Sequence, residues 1–218
     1  MKVLILTGGR LNDSGNLREK VQRYNPKWVI AADSGLVHAQ RFGLIPNEIL
    51  GDFDSVDSAL VKQYQNFQGE ITQYPPRKDY TDTELAIEAA MEKAGHTGEI
   101  WILGGTGSRI DHSLANVTLL KQPTDAGVRC RLLDGHNTVQ MVKAPAVLDV
   151  EKEEGMRYIS LIPMFGDVAG VTLEGFLYPL QDALLPSGRS LGISNELLYH
   201  RGRIRIISGY LLIIQSSD

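Results

Sequence analysis

The chain has 218 residues, 43% hydrophobic and 22% charged, with a formal net charge of -4 and a pI near 5.7. These ordinary globular proportions exclude a disordered or fibrous chain, and the length suffices for one large or two modest domains. The acidic balance offers no broad attraction to phosphate backbones or anionic lipid, so neither nucleic acid nor a membrane is expected as a partner.

Val3-Leu4-Ile5-Leu6 followed by Thr7-Gly8-Gly9 reads as a core strand, too short for a signal h-region or a bilayer span. Further β-branched apolar runs follow at 28–32 (WVIAA), 48–50 (EIL), 70–74 (EITQY), 99–103 (EIWIL) and 128–133 (VRCRLL). Between them lie helix-like segments at 16–24, 35–43, 58–67, 81–95 and 111–121. This alternation predicts an α/β domain over residues 1–135, a mainly parallel sheet flanked by helices. The helix over 81–95 is the best marked, with Thr81 and Glu84 in a capping-box pattern and Gly95 at its stop.

After residue 135 the pattern changes to seven short extended runs: 137–142, 146–150, 158–164, 170–175, 190–194, 202–208 and 210–215. They predict an all-β domain of sandwich type over residues 136–218. Cys130 is the only cysteine, so an intrachain disulfide is excluded and a cysteine zinc site lacks ligands. A reducing cytoplasm is the expected compartment.

In a parallel sheet, the loops leaving the strands' C-terminal ends share one rim, where ligands bind. Asp33 follows WVIAA; Asp52, Asp54 and Asp57 follow EIL; Lys78, Asp79 and Asp82 follow EITQY; Arg109, Asp111 and His112 follow EIWIL and GGTGSR, the stretch that contains Thr106. Each has a structural reading as well. Asp33 suits a helix N-cap, Asp82 a helix macrodipole, Asp52 and Asp54 Asx-turns, Lys78 a solvated surface and His112 a cap. Together, however, carboxylates on one rim raise one another's pKa unless a cation holds them ionised. Oxygen ligands of this kind suit Mg²⁺ with a phosphate substrate. GGTGSR, which is neither a Walker A loop nor GxGxxG, can bring backbone N–H groups and Arg109 to an anion, or can serve as a tight turn.

The blocks AADSG, GDFDSVD, KDYTDTELAI and GGTGSRIDHSLAN, with YISLIPM, GVTLEGFLYPL and SLGISNE after them, resemble the bacterial type of thiamine pyrophosphokinase. The resemblance runs from about residue 31 to the C-terminus. It implies a homodimer with an N-terminal domain for ATP and metal and a C-terminal β-sandwich that helps hold thiamine. The reaction implied is Mg²⁺-dependent transfer of diphosphate from ATP to thiamine, giving thiamine diphosphate and AMP. By the same resemblance, Asp52, Asp54 and Asp82 are metal ligands, and with Arg109 they form the catalytic set. Asp33, Lys78, Asp79, Thr106, Arg109, Asp111 and His112 fall to ATP and its phosphates. Ser194 and Asn195 fall to thiamine, in a stretch that otherwise reads as a β-turn. Ser34 stands where many relatives have Gly, and Asn47 where Asp is usual. Asn12 and Asp13 receive no role. Three alternatives stay open on the residues alone: diphosphoryl transfer to a pterin alcohol, an Mg²⁺-dependent phosphatase using the D-x-D of 52–54, and an inactive thiamine or nucleotide sensor.

Overall fold

The computed structural model describes residues 1–11, 17–51, 69–73 and 79–218. The chain forms two compact units, Met1–Gly135 and His136–Asp218. The helix expected over 58–67 lies outside the described residues.

The first unit carries strands β1 (Lys2–Leu6), β2 (Trp28–Ala32), β3 (Glu48–Gly51), β4 (Glu70–Gln73), β5 (Glu99–Leu103) and β6 (Arg129–Leu133). They lie in the order β4-β3-β2-β1-β5-β6, and every pair is parallel. The helices are α1 (Leu17–Tyr24), α2 (Gly35–Phe42), α3 (Asp82–Ala94), α4 (Ile110–Leu119) and α5 (Lys121–Asp125). Val3, Leu4, Ile5 and Leu6 are all fully buried, as a strand covered on both faces requires, which is why its sequence is continuously apolar. On one face Leu4 and Leu6 pack with Leu17, Val21 and Ala39 from α1 and α2. α3 packs against β1 and β2 and buries Ala86, Ile87 and Ala90.

The strand order reverses at β1, since the chain steps outward through β2, β3 and β4 and then returns to place β5 on β1's other side. Connections leaving β1 and β5 therefore diverge, opening a crevice at their C-terminal ends. At the opposite end the sheet is tied down: the Tyr24 hydroxyl donates to the Glu99 carbonyl (2.6 Å), and the Tyr24 ring stacks on Trp101 at 4.0 Å.

The second unit is a β-sandwich built from β7 (Asn137–Lys143), β8 (Ala146–Glu151), β9 (Tyr158–Glu174), β10 (Leu180–Leu185), β11 (Arg201–Ile206) and β12 (Ser208–Ser216). All its ladders are antiparallel. β12 joins β7 to the first part of β9, while β11 joins β8 to the last part, and β10 adds to β9. The core between them includes Ile159, Leu161, Val171, Phe176, Ile204 and Ile213.

Three expectations are corrected here. The runs at 158–164 and 170–175 are one strand, because Phe165 (φ +59), Gly166 and Gly170 turn it without breaking it. Residues 190–194 form turns and not a strand: Gly192 and Ser194 adopt positive φ, and Ile193 bonds back to Ser190. β10 was missed because LQDALL lacks β-branched residues and has no clean alternation. Among the described residues, no helix is long and apolar enough to cross a membrane.

Candidate active site

A cavity of about 690 Å³ occupies the crevice beyond β1 and β5. Four stretches line it: Thr7–Arg10 after β1, Ala32–Ser34 after β2, Tyr80–Thr83 at the start of α3, and Gly104–Arg109 after β5. Val37 and His38 from α2 and His112, Ser113 and Asn116 from α4 complete the wall. Of the rim expected from the strand pattern, Asp33, Asp82, Arg109 and His112 line this crevice.

The two glycine turns pack backbone to backbone. A Cβ on Gly9 would stand 2.0 Å from the Gly104 carbonyl oxygen and 2.4 Å from that of Thr106, so only glycine permits this approach. The β5 turn is then fixed from three directions. Asn116, buried in α4, donates Nδ2–H to the Gly105 carbonyl (2.7 Å), and Thr106 donates its hydroxyl to Asp134 (2.8 Å). Gly107 N–H donates to the Ser113 hydroxyl (3.2 Å), which in turn donates to the Arg109 carbonyl (3.1 Å). Rigid backbone at a helix N-terminus is suited to an anion.

Arg109 and Asp111 form a two-pronged ion pair, with Nε and one terminal nitrogen at 3.2 and 2.6 Å from the carboxylate. The guanidinium holds the Asp111 carboxyl down at about 2. Both side chains are more than 60% exposed, so the contact is screened and exchangeable. Asp111 contributes stability above the ordinary carboxylate range, and that contribution fades as pH falls towards 2. Arg109→Gln should bring the Asp111 pKa back up to about 4, the ordinary aspartate value, in a carboxyl NMR titration.

Asp82 opens α3 on the cavity wall, where Thr81 caps the helix by accepting the Glu84 N–H on its hydroxyl (3.2 Å). The capping box is half formed, because the Glu84 carboxylate accepts from Gln122 instead (2.9 Å). Asp33 leaves β2 with φ +48 and is not the cap of α2; Ser34 holds that position. Gly51, at φ +147, ends β3 against Asp33, and a Cβ there would lie 3.1 Å from the Asp33 Cα.

Of the residues expected at the phosphates, Asp33, Thr106, Arg109 and His112 line the cavity, as does Asp82, expected as a metal ligand. Asp79 is exposed and off that wall, while Asp111 faces Arg109, not the cavity, as an acid would beside an anion. Asp52, Asp54 and Lys78 lie outside the described residues. His112 caps nothing with its side chain; the helix start is held through Ser113. Arg10 and His38 were not foreseen. GGR after the first strand was the available signal for Arg10, whereas a single histidine within a helix gives none.

Among the described residues, no group of three or more His, Cys, Asp or Glu is placed to hold a metal. Asp82 and Asp33 are hard oxygen donors on the wall, which fits an ion that takes one or two carboxylates and leaves its other positions to water and phosphate.

In the second unit, Asn195 is 3% exposed and its amide is committed to the chain around it. Its oxygen accepts from Tyr178 N–H (3.0 Å) and Glu196 N–H (2.9 Å), and its nitrogen donates to the Tyr178 carbonyl (2.8 Å). Ser194 is exposed at φ +56, its N–H donating to the Ser160 hydroxyl (3.0 Å). Asn195 thus fixes the Tyr178 segment, while Ser194 presents its hydroxyl to solvent.

Comparison with known proteins agrees with this architecture. Residues 22–132 match the family model for the catalytic domain of thiamin pyrophosphokinase, and residues 146–211 match that for its vitamin B1 binding domain. Thiamine pyrophosphokinase of Bacillus subtilis is 39% identical over 189 residues, 87% of each chain. The crystal structure of a thiamine pyrophosphokinase from the same organism superposes with a TM-score of 0.89 at 35% identity over the full length of both chains. Thiamin pyrophosphokinase from Candida albicans shares the fold at 14% identity, with a TM-score of 0.80 over 99% of this chain and 89% of that one. With both halves matched in order, the chain belongs to the thiamine pyrophosphokinase family.

Proposed function

We propose that this chain transfers an intact diphosphoryl group from ATP to the hydroxyl of thiamine, giving thiamine diphosphate and AMP, in the crevice between β1 and β5. The observation that carries the reading is the cavity wall itself: two interlocked glycine turns, Arg109 and Asp82 at a switch point, in a chain of this family. Residues 1–135 supply the ATP and metal site, and residues 136–218 the thiamine-binding surface.

The glycine turns bring backbone, not side chains, to the cavity, so phosphate oxygens can approach the amides closely. Arg109 arrives already oriented by Asp111 and exchanges that exposed contact for phosphate oxygens in the same two-pronged geometry. Thr106, held by Asp134, and His112 border the same space, and Lys78 is assigned a second cationic contact. Asp82, together with Asp52 and Asp54 and with Asp33 beside them, would hold Mg²⁺, whose charge neutralises the polyphosphate when bound. Alignment lets the thiamine oxygen bond to the β-phosphorus as the bridging oxygen leaves with AMP and the hydroxyl proton passes to solvent. Positioning and charge neutralisation suffice, and no covalent enzyme intermediate is needed.

Thiamine is cationic. Tyr178, exposed and steadied by Asn195, offers it an aromatic face, and Ser194 a hydroxyl. The paired segments bearing Leu177, Tyr178, Leu198 and Tyr199 leave large apolar side chains exposed, which supports a homodimer in solution. Its compartment is assigned as the cytoplasm, consistent with Cys130 being unpaired and buried.

The test is product identity. With ATP, thiamine and Mg²⁺, AMP and thiamine diphosphate should form in equal amounts, and EDTA should stop both. ADP with thiamine monophosphate would overturn the diphosphoryl register, and no thiamine product at all would overturn the acceptor.

A further inference from the structure

His38 stands on the cavity wall but has no part in the mechanism above. One of its nitrogens, Nε2, lies 2.8 Å from the Gly9 carbonyl oxygen. A carbonyl only accepts, so Nε2 carries the proton, and in the neutral ring Nδ1 is a bare acceptor. Burial is the main influence keeping the ring below the usual histidine pKa; the Gly9 contact opposes it and the nearby Arg41 charge reinforces it. Nδ1 is buried with no hydrogen-bond partner among the described residues. An apolar side chain would fill the same space without burying an unsatisfied acceptor. What the imidazole supplies in return is the one bond to Gly9.

Gly9 is a residue through which the β1 turn touches the β5 turn, and the next residue, Arg10, also lines the cavity. We propose that His38 is a positioning residue: its Nε2–H holds the Gly9 carbonyl and thereby sets the Gly8–Arg10 turn, with the Arg10 guanidinium, against the phosphates of ATP. This rests on the reading that the cavity takes ATP.

Two variants of the full chain separate this role from packing. His38→Gln places an amide N–H at about the reach of Nε2, whereas His38→Leu keeps the bulk and removes the donor. His38→Leu should raise the KM for ATP about tenfold, the size of one lost hydrogen bond, with the KM for thiamine within about twofold of wild type. It should also speed hydrogen–deuterium exchange of the amides of residues 8–10. His38→Gln should restore both. Equal ATP KM values for wild type and His38→Leu, or equal losses in the two variants, would overturn the proposal. If His38→Leu does not fold, His38→Asn, an amide too short to reach Gly9, takes its place with the same outcomes. If wild type forms no AMP, the functional reading fails separately. Exchange then decides alone: faster turn exchange in His38→Leu but not in His38→Gln upholds the positioning role, and equal exchange removes it.

Discussion

Asp82→Asn should lower kcat by about 10²–10³-fold or more, the usual scale for losing one preorganised electrostatic contribution, here through the Mg²⁺ that the carboxylate is proposed to hold. The substitution is chosen to spare the fold. Asp82 is the first residue of α3, and the cap belongs to Thr81, whose hydroxyl already accepts the Glu84 N–H. Asparagine keeps the shape while losing the charge and exchanging one acceptor oxygen for an NH2 donor, and thermal unfolding should move by a few degrees at most, in line with a macrodipole contribution of about 0.3–1 kcal/mol. Raised Mg²⁺ should recover part of the activity if the carboxylate contributes to holding the ion. A variant turning over at the wild-type rate in ordinary Mg²⁺ would remove Asp82 from the site. Asp54→Asn, at a position outside the described residues, is expected to abolish turnover in the same assay.

The second large effect belongs to a residue with no side chain. In Gly9→Ala the new methyl would begin 2.0 Å from a backbone oxygen, which cannot rotate away, so the β1 and β5 turns must part. Overpacking of this kind costs about 1–3 kcal/mol, occasionally more, and here the upper end is expected. Activity should fall further than stability, because the displaced turns form the cavity wall proposed to hold the polyphosphate. Gly43→Ala provides the control. Gly43, unlike Gly9, has positive φ (+67), but a Cβ there meets nothing within 4 Å, so its cost should be limited to backbone strain of about 1–2 kcal/mol with kinetics unchanged. Urea unfolding and steady-state kinetics on the pair decide the matter. Equal destabilisation of both variants would mean that the turn contact is softer than its geometry implies.

The first unit was legible because its strands are buried on both faces. WVIAA and the IWIL of β5 are apolar without interruption, and they are followed by Asp33 and Gly104, which mark the rim. The candidate rim is legible because the charged residues lie in the loops that leave the strands' C-terminal ends. What escaped notice carries a weaker local signal. β10 is made of residues that read equally well as helix and takes its conformation from β9 alongside it. The 190–194 run looked extended because Leu191 and Ile193 alternate with small residues, yet two positive φ values curl it. His38 is hidden for a different reason: no spacing along the chain discloses that a helix residue will meet a carbonyl 29 positions earlier. Asn195 is expected at thiamine by resemblance alone; its buried amide is hydrogen-bonded to the backbone of Tyr178 and Glu196, an arrangement that a β-turn motif in the sequence does not disclose.

β9 has a consequence for how the second unit comes apart. Its 17 residues serve first as the neighbour of β12 and then as the neighbour of β10 and β11, so a single stretch of chain belongs to both layers of the sandwich. Neither layer can peel away and leave the other intact, because fraying at one end of this shared spine withdraws a partner from the opposite layer. Residues 136–218 are therefore expected to melt as one cooperative block, which keeps the Tyr178 segment folded for as long as any of the sandwich is.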